Sequence, residues 1–501
     1  MLDVDDKQCL VGANGPLLLR LCSTPHPEKS LQTAPRINRH QYCIAPGLPH
    51  TFMPADSFTS YGWLVCLWIL VTPFQYGYHI SALNQIQAAL TCSNEPPAVD
   101  ELPACIPMSD VTFSMVTSVF TIGGLAGSGI ANLITDGRGR KGALRVCSVL
   151  MAVGAALMGA SSSVLFLMIG RFLIGVGSGI GICVGPIYIA EISPARISGR
   201  VGILTQVGVV LGIMTTQLVG LQFATQSQWR YVLYLSAVLG VAQFVLSTTV
   251  AESPIWLSSK GRLEERKVVA HRIWGIKEAA SDAVEPLLEE GVDPLDAERP
   301  QESVKMHQLF TKEYRKPLMI VCFAMLAQQI SGVNAVLYYS NDILSKSFPA
   351  LGPYLSLGIT VVNFVMTFPP IILMERMGRK QLLTLSAAGS ILSLFLLGYG
   401  LNSGSVPLSS VTIVTFIMSF AIGMGPLPFV MIPEVSPAKA VSALSSVALS
   451  LNWIVNFLVG FLFLPLRNLL SGGDRYLEGR VFYVFGLLFL SSFVVLSRAY
   501  R

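Results

Sequence analysis

Among the carboxamides inside long apolar runs of this 501-residue chain are seven of interest: Gln206, Gln328, Gln329, Asn334, Asn363, Asn452 and Asn456. A carboxamide presents a donor and an acceptor without charge. That chemistry suits a polyol, whose hydroxyls also donate and accept. In hydrocarbon an amide costs desolvation unless it is paired, so these residues either tie helices together or line a wet pocket. Gln329 and Asn334 are five residues apart, within about 140° on a helix, and with Gln328 they can converge on one cavity. Asn452 and Asn456 share a face at i, i+4. Trp453 and Phe420 supply flat apolar surfaces of the kind that stack on a sugar ring.

The elements that must hold these residues are membrane spans. The chain is 52% hydrophobic and 13% charged, against about 25% charged for a soluble domain. A hydrocarbon slab of ~30 Å takes about 20 apolar residues per helix. Twelve blocks of that kind are expected, at 62–82, 111–135, 142–161, 164–190, 201–224, 231–251, 317–345, 352–374, 381–402, 408–432, 441–467 and 479–497. The fold class is therefore an all-α membrane protein. The polar start of the chain holds no cleavable signal pattern, so the first span is expected to act as an uncleaved anchor.

The net charge of +5 matters less than its placement. Arg138, Arg140 and Lys141 fall between spans 2 and 3, Arg376, Arg379 and Lys380 between spans 8 and 9, and the 252–316 segment is rich in Lys and Arg. The segments 91–110 and 403–407 have no Lys or Arg. Basic loops stay on the cytoplasmic side, which places both termini there. Arg467, Arg475 and Arg480 depart from that trend, lying in a loop expected outside. Of nine cysteines, Cys92 and Cys105 share the first outside loop. They are either free thiols or a disulfide, and an oxidising face favours the bridge.

Two unrelated motifs recur. TDGRGRK at 135–141 returns as MERMGRK at 374–380, an offset of 239, and PIYIAEISPAR at 186–196 returns as FVMIPEVSPAK at 429–439, an offset of 243. Near-equal offsets indicate a duplicated six-helix unit. The expected domains are a cytoplasmic tail at 1–60, a six-helix bundle at 61–251, a cytoplasmic linker with short helices at 252–316, a second bundle at 317–497 and a short tail at 498–501. Two such bundles related by an axis along the membrane normal make a carrier with a midplane site.

The motifs GRFLIGVGSGIG at 170–181, PIYIAEISPAR, ESPIWL at 252–257, QQISGVNAVLYYS at 328–340, ERMGRK at 375–380 and NWIVNFLVG at 452–460 resemble those of sugar porters of the major facilitator superfamily, over roughly 58–497. Several are similar to the facilitative glucose carriers, and GYHISALNQIQ is similar to a fungal, vacuolar-type branch. The resemblance implies the major facilitator fold and a hexose-like substrate. It also implies that the seven amides, with Trp453, Phe420 and Phe429, contact that substrate. It further implies that Tyr338 and Tyr339 help to close an outer gate. Two positions depart from the glucose carriers: Ala421 replaces an acid and Phe429 a tryptophan. That leaves hexose better supported than glucose.

The repeated charges can form a cytoplasmic latch. Asp136, Arg138, Arg140, Glu191, Arg196 and Glu252 in one half, and Glu375, Arg376, Arg379 and Glu434 in the other, resemble the salt-bridge network that holds the family's outward-open state. Gly137, Ser198 and Val441 stand where the family has arginine, with Arg138, Arg200 and Lys439 nearby as substitutes. His79 stands in span 1 where proton-coupled members have Asp and facilitative ones Asn, and its expected partner is Arg171 of span 4. As a neutral ring that donates and accepts, His79 is expected to replace the facilitators' amide.

The expected function is monosaccharide transport by alternating access, as a uniporter without cofactor, metal or covalent chemistry, and with no nucleic-acid partner. The functional unit is expected to be monomeric, in the plasma membrane or in a vacuolar or endosomal one. The rivals are a proton–sugar symporter working through His79, a polyol carrier and a non-transporting sugar sensor. A sensor would need a long tail, and the chain ends RAYR shortly after span 12.

Overall fold

The computed structural model describes residues 58–92, 103, 105–194, 197–275, 306–347, 351–437 and 440–500. The chain divides into two units, Met1–Met53 and Pro54–Arg501, and all described residues lie in the second. They are helical throughout, with no strand among them.

Nine helices among the described residues are long and apolar enough to cross a membrane. One of them, α3 at Asp110–Gly159, has 50 residues, about 75 Å at ~1.5 Å per residue, enough for two crossings. It bends at Gly139, whose φ of 78° is not helical and which glycine alone adopts readily. Ten of the twelve expected spans thus fall in helices of this kind. Span 1 is α1 at Ser60–Ser81, a 22-residue helix carrying Pro73, Gln75 and His79. Span 8 is split into α11 at Gly352–Val365 and α12 at Pro369–Met377, because Pro369 and Pro370 cannot continue a helical ladder.

The remaining elements follow in order. They are α2 at Gln87–Leu90, α4 at Val164–Ile192, α5 at Ser198–Phe223, α6 at Trp229–Leu246, α7 at Pro254–Ser259 and α8 at Leu263–Trp274. After the linker come α9 at Lys312–Ile330, α10 at Val333–Ser347, α13 at Arg379–Asn402, α14 at Val406–Ile422, α15 at Leu427–Val435, α16 at Val441–Ser471 and α17 at Arg480–Ala499. Start signals are local. Thr59 and Ser109 accept from the backbone N–H groups of Gly62 at 3.1 Å and Thr112 at 3.2 Å, as N-cap residues do.

Helices in lipid approach closely only where side chains are small. Between α3 and α4 this is visible at Gly123 and Gly127, which face Gly175 and Gly179. A Cβ at any of the four would run into the opposite backbone. Besides span 8, three spans are interrupted near their middles or ends: α1 gives way to turns at 82–86, α9 and α10 are parted by Gly332 at φ 78°, and α14 and α15 by turns at 423–426. Backbone freed this way at membrane depth must find partners in the protein, and those partners define the site.

Candidate functional site

The break at 423–426 is served by two side chains. Gln328 Nε2 donates to the carbonyls of Met424 at 3.0 Å and Gly425 at 2.7 Å. Ser386 Oγ accepts from Met424 N at 2.8 Å and donates to Ser419 O at 2.6 Å. Gln328 Oε1 accepts from Asn452 Nδ2 at 3.0 Å. Gln328 therefore mates α9 to the unwound segment and to α16, and its hydrogen-bonding capacity is largely used. Asn456 Oδ1 accepts from Tyr338 at 3.1 Å, which ties α16 to α10.

Other amides are placed differently. Asn334 Nδ2 donates to Gln329 Oε1 at 2.6 Å across the Gly332 break. Gln206 and Asn363 have side chains with no hydrogen bond to another described residue. Their setting follows from helix geometry. Gln217 and Ser356, both fully buried, meet at 3.5 Å across the two halves. Gln206 precedes Gln217 by eleven residues on α5, and Asn363 follows Ser356 by seven on α11. Each spacing returns to nearly the same face, about 16 Å and 10 Å further along. Gln206 is exposed and Asn363 half-buried. The two faces touch at Gln217 and Ser356, and Gln206 and Asn363 lie further along them toward the basic end.

The two halves are joined at the end that carries the Cys92–Cys105 disulfide, whose sulfurs are 2.09 Å apart. There Asn84 Nδ2 donates to Ser356 Oγ at 3.2 Å, Gln85 Nε2 to Pro353 O at 3.1 Å and Asn341 N to Asn84 Oδ1 at 3.0 Å. Tyr339 donates to Gly460 O at 2.8 Å and stacks on Phe463. Nearest the open side, Trp453 Nε1 donates to Ser128 Oγ at 2.9 Å. The indole also meets Tyr76 and Phe120 edge-on, with centroids at 6.1 and 6.3 Å. Phe420 and Ala421 are buried in α14, and Phe429 is exposed on α15.

His79 is fully buried. Its ring bonds Ser236 Oγ of α6 at 2.6 Å, and the guanidinium of Arg171 reaches the His79 carbonyl at 2.7 Å instead of the ring. That carbonyl is free because α1 ends two residues later. Ser236 continues to Gln75 at 3.4 Å, Gln75 to Gln243 at 3.2 Å and Gln243 to Thr72 at 2.7 Å. The sequence reading did not find Ser236, Gln243, Ser386 or Ser128. A signal existed for the first two: Ser236 and Gln243 are seven residues apart on α6, facing the stripe Thr72, Gln75 and His79 on α1.

At the basic end the repeat is exact in pairing. Arg140 Nη2 binds Glu191 Oε1 at 2.7 Å, and Arg379 Nη2 binds Glu434 Oε1 at 2.9 Å. Both pairs lie within their own half. Glu252 Oε1 accepts from the backbone N–H groups of Arg140, Lys141 and Ser253 at 2.9–3.0 Å, beside the Gly139 bend. Burial raises the Glu252 carboxyl above the usual carboxylate range, against the lowering pull of those N–H groups and of Lys141. Asp136, Arg138 and Arg376 are exposed. Arg196 and Lys439 lie outside the described residues, as do the side chains of Arg200 and Glu375.

Comparison with known proteins adds a family. The profile described as Sugar (and other) transporter matches residues 65–498. A probable metabolite transport protein of Saccharomyces cerevisiae is 32% identical over 80% of this chain and 85% of its own. Facilitated glucose transporter member 4 of Mus musculus is 32% identical over 84% of each chain. Vacuolar protein sorting-associated protein 73 of Saccharomyces cerevisiae is 29% identical over 85% of this chain and 92% of its own. In fold, the xylose transporter XylE of E. coli, in a partially occluded inward open conformation, superposes with a TM-score of 0.69 at 19% identity. It covers 87% of this chain and 98% of that one.

Proposed function

Since the chain belongs to the Sugar (and other) transporter family and is a multi-pass membrane protein of the major facilitator fold, we propose that it carries a monosaccharide, a hexose such as glucose, by alternating access and without coupling to protons. The observation that carries the reading is that hydrogen bonds between the halves gather at the disulfide end, while Gln206 and Asn363, further along the faces that meet at Gln217 and Ser356, have no side-chain hydrogen bond among the described residues; we read them as the lining of a cleft open at the other end. Gln329 and Asn334 pair only with each other among the hydrogen bonds of the described residues and can exchange that bond for sugar hydroxyls. An uncharged lining suits an uncharged polyol, and Trp453 at the mouth of the closed half offers a ring face.

Support for uniport comes from what occupies the span 1 position. His79 is bonded to Ser236, and its contact with Arg171 runs through the backbone, so a proton on the ring would not release the arginine as it would from a carboxylate. Because the halves are joined at the disulfide end, we read the opening at the basic end, which the placement of Lys and Arg assigns to the cytoplasm together with both termini.

The test is purified protein in liposomes, with uptake of labelled hexoses, pentoses and polyols followed with and without a pH gradient. Equal inner and outer concentrations of a hexose under both conditions are expected. Accumulation driven by the gradient would replace the uniporter with a symporter. No entry of any sugar would overturn the reading.

A further inference from the structure

Arg467 is one of three basic residues that the charge pattern leaves unexplained, since it lies toward the end expected outside. We infer that Arg467 and Asn468 of α16, with Asp110 of α3, are gating residues that clasp the disulfide end of the cleft shut. Asn468 Nδ2 donates to Asp110 Oδ2 at 2.9 Å, and Arg467 Nη2 lies 3.5 Å from the same oxygen. Asn468 Oδ1 in turn accepts from Arg467 Nε at 3.2 Å and Nη2 at 3.1 Å. One carboxylate of the first half is thus held by an amide and a guanidinium of the second, and the amide is oriented by the guanidinium it accepts from.

The burial is uneven: the Arg467 side chain is 2% exposed and that of Asp110 44%. A guanidinium withdrawn from water needs partners that offset its lost hydration, and the Asp110 carboxylate is a partner from the opposite half. Asp110 also opens α3, where a negative charge is favoured by the helix dipole. Opening this end would strip the carboxylate from both partners, so the clasp favours the state whose cleft opens at the basic end.

Position makes it the outermost contact of three. The antiparallel helices α3 and α16 meet at Asp110 and Asn468, then where Ser118 lies against Gly460, then at Ser128 and Trp453. For halves that rock about a midplane site, the outermost contact moves furthest.

The inference rests on the alternating-access reading but is tested by accessibility instead of uptake, so the two fail separately. Ser118 is fully buried beneath the clasp and serves as the reporter. With Ser118→Cys in the full chain in lipid nanodiscs, the rate of alkylation by a charged maleimide is read on that peptide by mass spectrometry. Asp110→Asn and Arg467→Met are each expected to raise the rate about three- to tenfold, and the double variant no further than the faster single one. Unchanged rates in the single variants, or effects that multiply in the double, would overturn the clasp. Should Arg467→Met fail to fold, Asn468→Ala closes the same cycle with Asp110→Asn.

Discussion

Trp453 of the second half donates its indole N–H to Ser128 Oγ of the first, at 2.9 Å, with the ring lying along the face of α3 at Gly124. Phe120, Gly124 and Ser128 are spaced four apart, so one stripe of α3 supplies an aromatic edge, a flat floor and an acceptor. A Cβ at Gly124 would lie 2.5 Å from the indole, so the floor is flat because the residue is glycine.

Ser128→Ala leaves a buried indole N–H without its acceptor when the disulfide end is shut. Such a loss costs about 1–3 kcal/mol. The balance between states should move toward opening at that end, seen as a changed ratio of KM for entry to KM for exit in sided vesicles, and Ser128→Thr should restore it. Gly124→Leu should lower the maximal rate more than either, because the ring can no longer dock.

The amides separate into two classes by their partners. Gln329→Ala should raise the KM for sugar by about tenfold and leave the melting temperature in place, since its hydrogen-bond partner is another amide of the proposed lining, Asn334. Gln328→Ala should lower the melting temperature, because two carbonyls of the broken helix and Asn452 lose their partner at once, at about 1–3 kcal/mol for each unsatisfied group. Thermal unfolding in detergent, run beside uptake, distinguishes the two outcomes.

At His79 the expected outcome is tolerance of an amide. His79→Asn keeps a donor and an acceptor for Ser236 and should reach the same final sugar distribution as the parent protein at each external pH. His79→Leu leaves the Ser236, Gln75 and Gln243 chain without its end partner and should lower stability by about 1–3 kcal/mol.

Glu252 gives a pH dependence of stability. Its folded carboxyl is raised by burial, so the folded state holds the proton more tightly than the unfolded chain. Stability is therefore greatest below the unfolded value of about 4.3 and falls as pH rises toward the folded one. Glu252→Gln should flatten that part of the melting-temperature profile, because a neutral amide does not titrate while its oxygen still accepts N–H bonds at the Gly139 bend. An unchanged profile would show that other groups set it.

The latch expected at the basic end was legible as charges but not as pairs. The repeat marked Arg140 and Glu191, and again Arg379 and Glu434, as recurring charges without joining them into pairs. It did not show that both pairs lie inside their own half, with Asn84, Asn341 and Ser356 holding the halves together at the other end. A motif written twice records contacts within the repeated unit, whereas contacts between units are made by residues the repeat does not share.

The sequence by itself determined where apolar runs long enough to span lie, which motifs recur and which amides fall among them, since apolar length, recurrence and residue type are linear properties of the chain. It also restricted which residues share a helix face, through the fixed rotation of about 100° per residue. Only the tertiary structure decided what each face meets. Gln328 is consumed by an unwound turn of another helix while Gln329 faces Asn334, the His79 ring takes Ser236 while Arg171 takes the His79 carbonyl, and Arg467 finds Asp110 in the opposite half. The physical reason is the same in each case: a helix fixes where its side chains point, and the packing of other helices fixes whether they find a partner, water or a substrate there.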